Sequence, residues 1–239
     1  NKIKNKIDCI IHLASTTNAE KSFSNKKKVL DNNVECTNKI LSLGKKNTKI
    51  IFASSTSVYG SQYKIINSKN NQLNISPQSP YAQSKILCEN IIKKNSKNYC
   101  IMRFGTIFGM SDGMRFHTAI NKFCYQASLD KKITIWKKFY KKKRPYLDLN
   151  DCVRSIIFTI FNQKIKNETL DVVTVNLKVI EIIKEIEKLK KIKKTFVNTK
   201  ILNQLSYEVH SDRLNSLDFK FNGNLFNSIH KTIKKLNIG

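Results

Sequence analysis

The sequence predicts an α/β protein built on an incomplete Rossmann-like, doubly wound parallel sheet, with a small mixed α+β region in its C-terminal half. Three observations predict it. Short continuous apolar runs, IDCIIHLA (7–14), KIIFASS (49–55) and YCIMRF (99–104), read as strands buried on both faces. Helical periodicities separate them, and strand–helix alternation implies parallel strands joined by crossover helices. A chain of 239 residues with 40% hydrophobic content is long enough for one large domain with a small annex.

The elements follow in order. The opening NKIKNKIDCIIHLAS sets positive charge before an apolar run, but the run is short and contains Asp8 and His12, so it reads as a strand and not a signal peptide. Apolar residues at Val29, Leu30, Val34, Ile40, Leu41 and Leu43 predict a helix over 26–44, stopped by Gly44. The second strand ends in a hydroxyl-rich turn, and the stretch from Gly60 to Ser79 is polar and aperiodic. Pro80 suits the first position of a helix that runs through Ile86, Leu87, Ile91 and Ile92. Beyond residue 105 come a helix near 116–130, a short strand KITIW, and the lysine run KKFYKKKRPY, read as a solvated hairpin. A helix from about Asn150 to Asn162, capped by Asn150 or Asp151, precedes a strand TLDVVTVN and a helix over 178–191. The expected division is a partial dinucleotide-binding domain over 1–104 and a substrate-binding region over 105–239, with residues of about 145–176 returning to the first.

Composition narrows the function. The formal charge of +27 raises nucleic acid as a partner, yet only five of the 44 basic residues are arginines (Arg103, Arg115, Arg144, Arg154 and Arg213). Nucleic-acid sites favour arginine for its bidentate fork. The Lys/Asn/Ile richness therefore reads as compositional drift, with nucleic acid disfavoured as a specific partner. No run approaches the ~18 apolar residues of a membrane span. Six cysteines are scattered without a C-x-x-C, and four histidines stand alone, so no metal site is expected and a reducing, cytoplasmic setting is.

The chemistry concentrates at residues 51–85. ASSTSVYG (53–60) puts hydroxyls at the C-terminal edge of a parallel sheet, where open α/β sheets bind ligands. In SPYAQSK (79–85), Tyr81 and Lys85 lie one helical turn apart on one face. An ammonium beside a phenol favours the phenolate, and a phenol so tuned can take a proton from a sugar hydroxyl.

These segments resemble the extended short-chain dehydrogenase/reductases, in the branch of NAD-dependent sugar-nucleotide epimerases and dehydratases. DCIIHLA is similar to the fourth-strand motif, DNNV to the helix signature after it, and ASSTSVYG to the strand of the catalytic serine. SPYAQSK resembles the Tyr-x-x-x-Lys element, MRFGTIFG the next strand and turn, and KKRPYLDLNDCVRSI a substrate-side segment. The resemblance implies Ser55, Tyr81 and Lys85 as catalytic residues, with Tyr81 as acid/base. It implies Leu13, Ala14, Ser15, Asn33, Tyr81 and Lys85 at NAD, with NADP as the alternative cofactor. It implies Thr106, Asn121, Arg144 and Tyr207 at a nucleotide-sugar substrate, and it admits a homodimer. Asp148 stands where the family has His, Cys36 where it has Gly, and no arginine directly precedes Tyr207.

Two departures shape the expected reaction. The 4,6-dehydratases carry an Asp-Glu pair after the active-site hydroxyl, whereas this chain has Thr56 and Ser57, which disfavours dehydration and leaves epimerisation or keto-sugar reduction. The seven glycines form no G-x-x-G-x-x-G turn for the cofactor pyrophosphate. The expectation is a chain that matches the C-terminal three-quarters of such an enzyme, exposes DCIIHLA as an apolar sheet edge, and binds NAD weakly or not at all by itself. A noncatalytic module on the same scaffold, binding RNA through its basic surface, is the alternative.

Overall fold

The computed structural model describes residues 7–60, 65–67, 69, 72, 74–198 and 206–237. Strand β1 (Cys9–His12) leads through a short 3-10 turn at Lys21–Phe23 to helix α1 (Lys26–Leu43) and strand β2 (Lys49–Ser55). A 3-10 turn (Thr56–Tyr59) and the two-residue β3 (Ile65–Ile66) precede α2 (Pro80–Asn95), β4 (Tyr99–Phe104) and β5 (Thr106–Phe108). Next come α3 (Ala119–Ser128), β6 (Ile133–Trp136), β7 (Lys143–Asp148), α4 (Leu149–Phe161), β8 (Glu168–Val172) and β9 (Val175–Lys178). The chain continues through α5 (Val179–Glu187), β10 (Lys194–Val197), β11 (Glu208–Val209), α6 (Asp212–Ser216) and α7 (Leu225–Leu236).

The central sheet has the order β1-β2-β4-β8 with every pairing parallel. Successive side chains of a strand point to opposite faces, and the core divides accordingly. Ile50, Phe52 and Ile101 pack with Cys88 and Ile92 of α2 and with Val34 and Leu41 of α1. On the other face, Ile51, Cys100 and Met102 meet Leu147, Cys152 and Leu170. A separate cluster unites α3, β6, α5 and α7 through Ile120, Phe123, Ile133, Ile182, Ile183 and Ile229. Among the described residues, no helix is long and apolar enough to cross a membrane.

Local chemistry sets the boundaries that position the site. Ser79 accepts a hydrogen bond from the Ala82 amide at 3.1 Å and caps α2, while Pro80 supplies its preset φ at the first turn. Gly60 has φ +61°, and a Cβ there would collide with the Ser76 carbonyl, so this turn excludes a side chain on both counts.

Several expectations need correction. The strand read over 7–14 spans Cys9–His12 and is not buried on both faces, since Ile11 is 41% and Leu13 57% exposed. Among the described residues β1 pairs on one side only. The lysine run is not a hairpin. It forms a 3-10 turn at Lys137–Phe139 with Phe139 buried, then strand β7, which pairs with β5 and β9. TLDVVTVN splits, because the Thr174 amide bonds the Tyr146 carbonyl and turns the chain away into β9, antiparallel to β7. Helix α4 is capped by Asp148, which accepts from the Asn150 amide at 2.8 Å, and not by Asn150 or Asp151. Helix α5 ends at Glu187, short of 191. The first six residues, read with the opening strand, lie outside the described residues.

Candidate active site

The site begins where β2 ends. Ser55 is still extended, and its Oγ accepts the Ser57 amide at 3.2 Å, turning the chain into the 3-10 segment. Helix α2 starts opposite, with the Tyr81 amide donating to the Ser22 Oγ at 3.3 Å. The Ser55 side chain reaches the Tyr81 phenol and favours its ionised form. One turn on, the Lys85 Nζ donates to the Ala53 carbonyl at 2.8 Å and lies 5.7 Å from the Tyr81 ring centre and 4.8 Å from that of Phe52. Ser55, Tyr81 and Lys85 thus meet at the C-terminal edge of the sheet, as the spacing predicts.

The electrostatics differ from the expected scheme. Burial pushes the Tyr81 phenol above its ordinary value, while the Ser55 hydrogen bond and the charge of Arg115 pull it back. Burial also lowers the Lys85 ammonium to about 8, against the partial support of Cys88, Glu89 and Cys36. Arg115 was not foreseen as a site residue. The signal available was that it is one of only five arginines, on the loop that follows β5.

The segment after β1 is held by Asn33. Its Oδ1 accepts the Thr16 amide at 2.7 Å, and its Nδ2 donates to the Thr16 carbonyl at 3.2 Å and to Ser84 Oγ at 2.8 Å. Asn33 is therefore a clasp between this segment and α2, and it leaves Leu13 and Ala14 exposed and Ser15 half-buried at the sheet edge. Beneath them His12 is buried, its Nε2 3.0 Å from Thr37 Oγ1. Thr37 Oγ1 already donates to the Asn33 carbonyl, so it accepts from His12, which fixes a neutral ring with hydrogen on Nε2.

On the substrate side, Tyr207 is buried with Val58, Val173 and Val209, yet its hydroxyl lies 3.4 Å from Thr56 Oγ1. The Arg144 guanidinium stacks on the Tyr207 ring at 5.1 Å. These two expected substrate residues therefore join Thr56, beside Ser55. Asn121 does not join them directly: it is buried and accepts the Gly109 amide at 3.2 Å, fixing the turn after β5. Thr106 is half-buried on β5, in register with Tyr146.

Whether these residues fit a dinucleotide can be tested on unsatisfied atoms. Thr17 Oγ1 and Ser57 Oγ are buried without a hydrogen-bond partner among the described residues, one in each segment that borders the Tyr81–Lys85 face. The exposed Leu13 and Ala14, the two hydroxyls and Lys85 are compatible with NAD at this edge. The sequence offers no glycine-rich turn for the pyrophosphate. Among the described residues no cluster could hold a metal ion, and all six cysteines are free.

A model of the NAD dependent epimerase/dehydratase family matches residues 1–173. A dTDP-D-glucose 4,6-dehydratase of Dictyostelium discoideum is 31% identical over 179 residues, covering 69% of this chain and 41% of that enzyme. The chain thus spans less than half the length of this relative. The crystal structure of a Bacillus cereus UDP-glucuronic acid 4-epimerase with UDP-glucuronic acid and NAD superposes with a TM-score of 0.86 at 21% identity, over 99% of this chain and 77% of that one. The structure of RMD from Pseudomonas aeruginosa complexed with NADPH gives 0.83 at 17% identity, over 97% and 82%. At these identities the two structures establish the shared fold.

Proposed function

Because the chain belongs to the NAD-dependent epimerase/dehydratase family, we propose that it serves an epimerase or keto-sugar reductase acting on a nucleotide sugar, with Tyr81 as the acid/base. The observation that carries this reading is the convergence of Ser55, Tyr81 and Lys85 at one strand end, with Lys85 bonded to the Ala53 carbonyl and 5.7 Å from the Tyr81 ring centre. NAD, when bound, supplies the hydride acceptor and donor. Ser55 holds the sugar oxygen while Tyr81 takes the hydroxyl proton as the carbon becomes a ketone, and returns it when the ketone is reduced. Lys85 would keep positive charge close to the developing phenolate and would be the residue to hold the cofactor's ribose. Arg144, whose guanidinium lies over the Tyr207 ring, would meet the diphosphate with its planar set of donors. Residues 1–104 with about 145–176 form the cofactor side in this assignment, and the remainder the substrate side.

Thr56 and Ser57 favour this chemistry over dehydration. Elimination of water needs a carboxyl acid and a carboxylate base, and neither a threonine nor a serine hydroxyl serves at neutral pH. The likeness to the Dictyostelium dehydratase therefore marks ancestry of the segment and not its reaction.

The test is Tyr81→Phe. With NAD and a panel of UDP- and dTDP-sugars, the variant should lose interconversion by at least about 100-fold while its calorimetric affinity for the sugar nucleotide stays within about twofold. Undiminished turnover in the variant would remove Tyr81 from its role.

A further inference from the structure

Helix α2 carries more than the proton-transfer pair. Tyr81, Lys85 and Glu89 recur every four residues and face the end of β2 in three successive contacts. Tyr81 meets the Ser55 side chain, Lys85 donates to the Ala53 carbonyl, and Glu89 Oε1 accepts from Ser54 Oγ at 2.5 Å. Glu89 is 1% exposed and is gripped by an arginine that is 0% exposed. Arg103 Nε donates to Glu89 Oε1 at 2.9 Å and its Nη2 to Oε2 at 2.6 Å, a two-pronged pair from β4. The other end of the same guanidinium donates from Nη1 to the Tyr59 hydroxyl at 3.0 Å, and Tyr59 donates onward to Asp171 Oδ1 of β8 at 2.5 Å.

One ion pair therefore holds both ends of the segment that contains Ser55. Ser54 is fixed through Glu89, and Tyr59 through Arg103. We propose that Glu89, with Arg103, is a positioning residue of the active site: the buried pair braces residues 54–59 against α2, and the Glu89 carboxylate, one turn from Lys85, favours its ammonium form beside Tyr81. This rests on the function proposed above, in which Lys85 must be charged.

A buried pair is not needed for stability alone, since apolar residues of similar shape often serve as well. The charges around Lys85 show what this one adds. Lys85 is faced by Tyr81, Cys88 and Glu89 on its own helix, by Cys36 on α1 and by neutral His12 on β1. Of these, Glu89 is the one carboxylate. Burial opposes the charge on Arg103, but the hydrogen bonds and charge of Glu89 more than offset it and hold the guanidinium protonated.

The experiment titrates Lys85 in the full chain by trace acetylation with acetic anhydride, following each lysine by mass spectrometry as pH is raised. Two variants are compared with wild type. Glu89→Gln keeps the shape and removes the charge, and Glu89→Gln with Arg103→Met removes both charges, so that no lone ion is left in the core. Circular dichroism checks each for native folding. The expected result is a fall of about one unit in the pH at which Lys85 becomes reactive in folded Glu89→Gln, and a smaller fall in the double variant, where a positive charge is removed as well, with other lysines unchanged. Where turnover is measurable, kcat should fall and the alkaline limb of its pH profile should move with Lys85, while KM changes little. A folded variant in which Lys85 titrates as in wild type overturns the proposal, because a brace that is merely structural would not move that titration. Absence of turnover in the wild-type chain would count against the proposed function alone, since the Lys85 titration needs no cofactor.

Discussion

His12 shows how a single residue can make stability depend on pH. Burial, reinforced by the charge of Lys85, lowers its pKa from 6.5 to about 4, and the ring remains neutral with Nδ1 unsatisfied. An unfolded chain binds a proton at that ring near 6.5, whereas the folded chain resists until about 4. The unfolded state therefore gains protons first, and the stability contributed by neutral His12 is fully present above 6.5 and lost as pH falls towards 4. His12→Gln keeps a hydrogen-bonding side chain and removes the titration. Thermal melts of the two proteins across this window should converge at acid pH, and curves that stay parallel would show that His12 is not the titrating group. Arg103 illustrates the opposite limit, a guanidinium sealed in the core whose charge Glu89 holds in place.

Helix α2 is the element on which the candidate chemistry depends, and its first turn is fixed by Ser79 and Pro80. Ser79→Ala removes the side-chain cap from the Ala82 amide and should cost about 1 kcal/mol. Because Tyr81 lies in that first turn, urea melts of this variant should be accompanied by weaker sugar-nucleotide binding, and an unchanged melting curve would show that the cap is dispensable. This helix was the most legible part of the sequence. Its start was marked by a serine and a proline, and its Tyr–Lys pair depended only on spacing within one element. The partners of that pair were harder to see. Arg103 lies 14 positions from Glu89, and Tyr59 lies 112 from Asp171, so the network follows from strand register and not from any local pattern. The same holds for β10, which pairs with β6, and β11, which pairs with β3: each is short, and its partner is remote in sequence. The boundary errors share a cause. Asp148 could be recognised as a cap only once β7 was seen to end there.

At the scale of the molecule, the parallel sheet and the α3–β6–α5–α7 assembly have separate apolar interiors, and cysteines are distributed among them. Cys100 and Cys152 lie in the cluster beneath one face of the sheet, Cys88 in the cluster on the other, and Cys124 in the C-terminal cluster. Burial raises all four thiols, those of Cys124 and Cys152 to about 12, so they are poor nucleophiles while folded. Cys36 is only half-buried. Alkylation with iodoacetamide should modify Cys36 first, with the four buried thiols following only through opening of the regions that enclose them. The sequence thus carries its own set of folding reporters. If Cys124 reacts at a different rate from Cys100 and Cys152, the two interiors open as independent cooperative units, and a shared rate would mean that they unfold as one. No label need be introduced to learn which part of the molecule yields first, because thiols placed as packing atoms already time each interior separately.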